Sequence, residues 1–143
     1  ALENEVYSVE LITALLAKLT DIFSGEMTEE SMSLQQHLLR ALGANAEHVY
    51  VIEFVSKLLS HKKVSPDLLI ILSGRCWLAL ANEQRLISYF EHLVASDDSP
   101  LFSSIFKDLV SIPTLRPIVF QCMRSPERSP ALAKAIGQLF NQG

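Results

Sequence analysis

Along most of this chain apolar residues return every three or four positions, and eight helix-start signals punctuate that rhythm. The first stretch, about residues 5–24, carries Val9, Ile12, Leu16, Leu19 and Phe23 on one face, widened by Leu11, Leu15 and Ile22. Gly25 is expected to end it as a left-handed cap. Thr28 is placed to cap a second helix, whose acidic first turn (Glu29, Glu30) complements the helix dipole, and Gly43 closes it. Asn45 reads as the cap of a third, with Val49, Ile52, Val55, Leu58 and Leu59 facing inward. His61, Lys62 and Lys63 follow near its exposed carbonyls.

Ser65-Pro66 opens the fourth helix. The serine accepts from free amides, and proline at the first helical position loses a donor that had no partner. Leu68 to Leu72, then Cys76, Trp77, Leu78 and Leu80, make it apolar almost all round, which predicts a central helix. Gly74 within it costs about 1 kcal/mol against alanine, so close approach by a neighbour is the expected compensation. Asn82 caps a fifth helix, with Leu86, Ile87, Phe90, Leu93 and Val94 inward. Asp97 and Asp98 lead into Ser99-Pro100 and a sixth, bearing Leu101, Phe102, Ile105, Phe106, Leu109 and Val110 and stopped by Pro113. A short seventh covers about residues 115–124, and Ser129-Pro130 opens an eighth with Leu132, Ile136, Leu139 and Phe140. Nothing alternates with period two, so the predicted fold is all-α.

Paired, these helices give units beginning near residues 5, 45, 82 and 115. That period, about 33 to 40 residues, is the length of the helical hairpins from which α-solenoids are built. At this level the chain resembles the HEAT/armadillo class of α-solenoids. The resemblance spans the whole chain and is architectural, because no residue pattern recurs from unit to unit. It implies short antiparallel helices stacked as hairpins into a right-handed superhelix. A closed helical bundle has the same spacing of starts and stays open as the alternative.

The 143 residues suffice for one domain spanning residues 1–143 with a core of its own. Hydrophobic residues make up 49% against 20% charged, and mean hydropathy is +0.25. That surplus suits a slice of something longer, or half of a stable complex. The chain opens with Ala1 rather than Met, which fits a processed form or an excised piece. No apolar run approaches the length of a membrane-spanning helix, and the acids Glu3, Glu5 and Glu10 are the reverse of a signal peptide's basic start. Cys76 and Cys122 have no paired spacing and read as small buried hydrophobes, which points inside the cell.

The net charge of −4 is unevenly spread. Up to Ser56 nine acids face two bases, near −7, and from Lys57 onward seven acids face ten bases, near +3. Such asymmetry can mark a basic docking surface, but a dedicated nucleic-acid binder is expected to be basic overall. Here the isoelectric point is about 5.5.

Catalytic signals are missing. The glycines are scattered, so no phosphate loop forms. His37, His48, His61 and His92 fall on different helices with no partner at ligand spacing, and they read as surface residues. Glu29-Glu30 and Asp97-Asp98 sit at helix starts, where capping and the dipole explain them. No enzyme activity, cofactor or metal is expected.

What remains is binding. Each even-numbered helix carries one base in or near its body: Arg40, Arg75, Lys107 and Lys134. Second helices of stacked hairpins line one surface, so these four are a candidate ladder for an acidic peptide or for phosphates. A second candidate is apolar: Phe102, Phe106, Phe120 and Phe140, with Met123, as a groove for an amphipathic helix. Ser125 and Ser129, each before a proline and flanked by Arg124 and Arg128, match proline-directed phosphorylation sites, although Ser-Pro is also simply a good helix opener. The expected function is a non-catalytic protein-interaction module of an intracellular scaffold or assembly factor, in nucleus or cytoplasm, with no membrane contact. Its expected partner is an acidic or amphipathic helical segment or another subunit. Nucleic-acid binding by the basic C-terminal half is one alternative. An obligate subunit with a covered apolar face is another.

Overall fold

The computed structural model describes residues 7–26, 28–61 and 63–141. Every regular element among them is helical: α1 (Val9–Ser24), α2 (Glu29–Ala41), α3 (Val49–Leu59), α4 (Pro66–Arg75), α5 (Glu83–Ala95), α6 (Ser99–Ser111), α7 (Arg116–Arg124) and α8 (Pro130–Asn141). Short 3-10 turns at Gly43–Asn45 and Trp77–Leu80 precede α3 and α5. The all-α expectation holds, and local capping chemistry explains most boundaries. Thr28 and Ser31 form a reciprocal capping box on α2. Ser65 Oγ accepts from the Leu68 amide at 3.3 Å, Asn82 Oδ1 from Arg85 at 3.1 Å, and Ser129 Oγ from Leu132 at 3.0 Å.

Four expected boundaries are corrected. The start of α1 expected from Glu5 falls outside the described residues. The described helix begins at Val9 behind Ser8, whose Oγ accepts from Leu11 N–H at 3.2 Å. Asn45 does not cap α3: it is turned inward, and its Oδ1 accepts the Tyr7 amide at 3.0 Å. The cap passes to His48, whose Nδ1 accepts from Tyr50 N–H at 3.1 Å. At α6 the cap is Asp98, one residue before Ser99, accepting from Leu101 N–H at 2.9 Å. Gly25 is extended rather than left-handed, with φ −92°. The only left-handed non-glycine among the described residues is Asp97, with φ 56°, in the tight turn from α5 to α6.

The long fourth helix is also two pieces. It stops at Arg75, and Cys76 (φ −120°, ψ 25°) turns the chain into the second 3-10 segment. The central helix is α5 instead. It packs against α3, α4, α6, α7 and α8 as well as the 77–80 turn.

Odd and even helices separate. α1 adjoins α3 and α3 adjoins α5, while α2 adjoins α4 and α4 adjoins α6. Side-chain neighbours give the direction. Before α1, Tyr7 bonds Asn45 just ahead of α3, and at its end Phe23 meets Phe54 and His61 with ring centres 6.0 and 6.4 Å apart, so α1 and α3 run the same way. The same holds for α2 and α4: Met32 and Gln35 adjoin Ser65 and Leu68, and Cys76 Sγ donates to the Leu39 carbonyl at 3.5 Å. The register stops at α7. Its Cys122 Sγ lies 3.7 Å from the Glu83 carbonyl, at the beginning of α5 rather than its end. The links at 42–48 and 76–82 each include a 3-10 turn, whereas α6 passes to α7 in four residues, 112–115. α8 then packs on α5.

One glycine marks a close approach, and it is not Gly74. Gly74 lies exposed, with nothing within 4 Å of where a Cβ would stand. At Gly43 a Cβ would lie 2.8 Å from the Arg75 carbonyl oxygen, backbone against backbone, where the ends of α2 and α4 meet. We therefore expect opposite signs from two alanine variants in denaturant unfolding. Gly43→Ala should destabilise by about 1–3 kcal/mol through overpacking. Gly74→Ala should stabilise by up to about 1 kcal/mol through helix propensity.

Candidate interaction surface

The four bases of the expected ladder do not form one row. Arg40 and Arg75 sit at corresponding ends of α2 and α4, where Gly43 meets the Arg75 backbone. Lys107 is exposed on α6 beside Ser103 and Ser104. Lys134 is elsewhere, because α8 packs on α5: it lines a cleft of about 320 Å³ with Asp97, Asp98 and Phe102. Of the four, only Arg40 and Arg75 stand at corresponding helix ends.

Other bases of the C-terminal half fold back onto the chain. Arg85 Nε donates to the Ala79 carbonyl at 2.7 Å, Arg116 Nε to Val110 at 2.9 Å, and Arg128 Nε to Ser125 at 2.9 Å. Each satisfies a carbonyl left open at the end of a helix or turn. Desolvation of Arg85 in this position lowers its pKa from the ordinary value.

The expected aromatic groove is mostly core. Phe102 and Phe106 are buried, stacked 5.8 Å apart and packed on Phe90 at 6.1 and 5.3 Å. Neither is open to a partner. Met123 is half-buried; Phe120 and Phe140 are exposed, on different helices. The larger apolar exposure lies at the other end. Val9, Leu11, Met32, Leu34, Val49, Tyr50 and Ile70 are all exposed, on α1 to α4. On α1 only Ile12 and Leu19 are fully buried, and Val9 and Leu11 keep 50% and 42% of their surface. A groove of about 350 Å³ between α1 and α3 is lined by Leu16, Tyr50 and Phe54. The helical period identified the α1 stripe, but periodicity alone cannot say how much of a stripe its neighbours cover.

Both Ser-Pro serines already hold structural positions. Ser125 is buried and its Oγ accepts from Glu127 N–H at 3.2 Å. Ser129 is gripped by Glu91: its hydroxyl donates to Oε1 at 2.6 Å and its amide to Oε2 at 2.9 Å. A phosphate on Ser129 would face that carboxylate, the reverse of the favourable helix-start site expected beside Arg128. Sequence reading missed Glu91 because its partner is 38 residues away.

The titratable groups likewise serve packing. His92 Nε2 bonds the Leu59 carbonyl at 2.8 Å, joining α5 to α3, so this histidine is not a plain surface residue. His48 caps α3, and His37 bonds the Ser33 carbonyl. Cys76 and Cys122 are free and buried, as expected, and desolvation pushes both thiols up to about 12. Among the described residues no three His, Cys, Asp or Glu side chains are grouped to hold a metal ion. No helix there is long and apolar enough to cross a membrane.

Residues 1–140 match the family model of DUF3549, described as a protein of unknown function. The chain belongs to the DUF3549 family. No curated protein and no solved structure matches it.

Two measurements test this account of the DUF3549 fold. Both thiols should resist alkylation in the native protein at pH 8 and react only on unfolding. Because the folded pKa values lie above the ordinary 9.0, their contribution is complete below pH 9 and is lost as pH rises toward about 12. A thiol labelled rapidly in native buffer would show the burial to be wrong. Separately, Ser129→Ala should cost about 1–2 kcal/mol in urea unfolding, from the lost cap and the lost Glu91 bond.

Proposed function

We propose that this chain is a non-catalytic interaction module, a HEAT/armadillo-like stack of helical hairpins inside the cell that serves as part of a scaffold or assembly factor. The observation that carries the reading is the uneven exposure of large apolar side chains, concentrated on α1 to α4. Apolar exposure concentrated on one part of a small domain favours a surface that another macromolecule covers. The same-direction packing of α1 with α3 and of α2 with α4 supports a stack, in which each hairpin offers its side to the next. α7 and α8 cover α5 at one end, whereas α1 lies at the other with Val9 and Leu11 open. The partner that fits is an amphipathic helical segment or another subunit, laid along α1 and α3 over Val9, Val49 and Tyr50. A rigid helical surface of this kind loses little conformational freedom on binding.

The ends of α2 and α4 that bear Arg40 and Arg75 are the second contact region, suited to acidic side chains at the rim of the same partner. Direct nucleic-acid binding is less favoured, because Arg85, Arg116 and Arg128 already donate to backbone carbonyls.

The test is affinity capture of tagged protein from native lysate, with and without nuclease, at low and high salt. The wild type should retain a stoichiometric protein through both treatments. Val49→Asp with Tyr50→Asp should lose it at least tenfold while unfolding at the wild-type midpoint. Retention by that variant would overturn the apolar surface. Loss of all partners on nuclease treatment would turn the reading to nucleic acid, whose phosphate contacts weaken steeply with salt.

A further inference from the structure

Between α2 and the entry to α4 lies a groove of about 380 Å³ that the interaction surface does not use. Its walls are Phe23 at the end of α1, Met32 on α2, Leu58 on α3, then Val64 and Leu68. Its size falls within the range of about 300–1,000 Å³ usual for small-molecule pockets. Two features distinguish it from an ordinary gap between helices. Gln35 lines it and is 3% exposed, yet its Nε2 is buried with no hydrogen-bond partner. A buried amide donor without an acceptor is costly to a fold, and the great majority of such groups are satisfied. The rim, in turn, carries His61 and Lys63, and among the described residues no acid lines any part of the groove.

Apolar walls call for an apolar body, the Gln35 amide for an acceptor oxygen, and the rim for negative charge. From these we infer a binding site for a small monocarboxylate with an aliphatic or aromatic body, its carboxylate oxygen accepting from Gln35 Nε2 and its charge facing His61 and Lys63. Gln35 Nε2 is closed to water, so Met32, unbranched and more than a third exposed, is the wall that moves to let the carboxylate reach it. Ser65 Oγ accepts the Leu68 amide as the cap of α4, and its hydroxyl hydrogen remains able to donate as a second recognising group.

The groove meets α1 and α3 only through Phe23 and Leu58, away from Val9, Val49 and Tyr50, and its test uses no partner. Octanoate, titrated into the full chain below its micelle concentration, should give saturable shifts of the Met32, Val64 and Leu68 methyl resonances. Octanol has the same body without the charge and should bind at least tenfold more weakly, and acetate should not bind. Gln35→Leu removes an unpartnered donor at similar volume, so the protein should fold normally. It should bind octanoate about tenfold more weakly and lose less on octanol, whose neutral hydroxyl oxygen is the weaker acceptor. Met32→Trp, on the rim, should abolish binding by filling the groove. Equal affinity for octanoate and octanol, undiminished octanoate binding by Gln35→Leu, or shifts that never saturate would each overturn the assignment.

Discussion

The burial of α5 is the constraint on which the rest of the structure depends. Leu86, Ile87, Tyr89, Phe90 and Leu93 are all removed from solvent, so this helix must be covered on several sides. Covering it also encloses its polar groups, and a buried donor or acceptor without a partner would cost about 1–3 kcal/mol. Each neighbour supplies a partner. Tyr89 donates to the Leu69 carbonyl of α4 at 2.6 Å, His92 meets Leu59 of α3, and Arg85 meets Ala79 of the 3-10 turn. Glu91 holds Ser129 at the start of α8, and the Glu83 carbonyl faces Cys122 of α7. Only α6 relies on rings, through Phe102 and Phe106 on Phe90. The non-directional apolar term drives collapse onto α5, and these bonds set where each neighbour can sit.

That division explains what the sequence disclosed. Local chemistry was legible: Thr28, Ser65, Asn82 and Ser129 cap the helices expected of them, because a cap and its amide lie within three residues. Where a long-range partner competed, the local reading failed. Asn45 has good capping chemistry but bonds Tyr7 across 38 residues, and the cap moved to a histidine. The glycines failed for a related reason. Gly74 looked like a contact point because it interrupts an apolar run, yet closeness is a property of two helices. The contact belongs to Gly43, whose opposite number is the Arg75 backbone. Even the central helix was misplaced: α4 is apolar almost all round but leaves Ile70 exposed, while the more amphipathic α5 takes the middle.

The candidate surface was legible only in part, and the failure has one cause. Residue type distinguishes apolar from polar, but a phenylalanine in the core and one on a docking face look alike in sequence. Phe102 and Phe106 went inward because Phe90 provides edge and face contacts for both. Val9, Leu11 and Tyr50 stayed outside because nothing described beyond α1 and α3 packs over them. The ladder of bases failed through topology. It required α8 to follow α6, and the Glu91–Ser129 contact ties α8 to α5 instead.

The same departure gives the molecule its polarity. Through α6 the helices keep a translational pattern, odd beside odd and even beside even, which by itself has no reason to stop. The four-residue link at 112–115 leaves no room for the 3-10 turn that resets the chain after α2 and α4, and α7 ends against the start of α5. The aromatic and aliphatic surface of α5 is then covered from the C-terminal side by α7 and α8. On the proposed reading as a hairpin stack, α7 and α8 act as a terminal unit that covers α5, while their own Phe120 and Phe140 stay exposed. Val9, Leu11, Val49 and Tyr50 of α1 and α3 are among the apolar side chains left open, and the same-direction packing that joins α1 to α3 is the geometry a further helix would meet there. A partner helix on that side would extend the pattern that α7 and α8 bring to an end on the other.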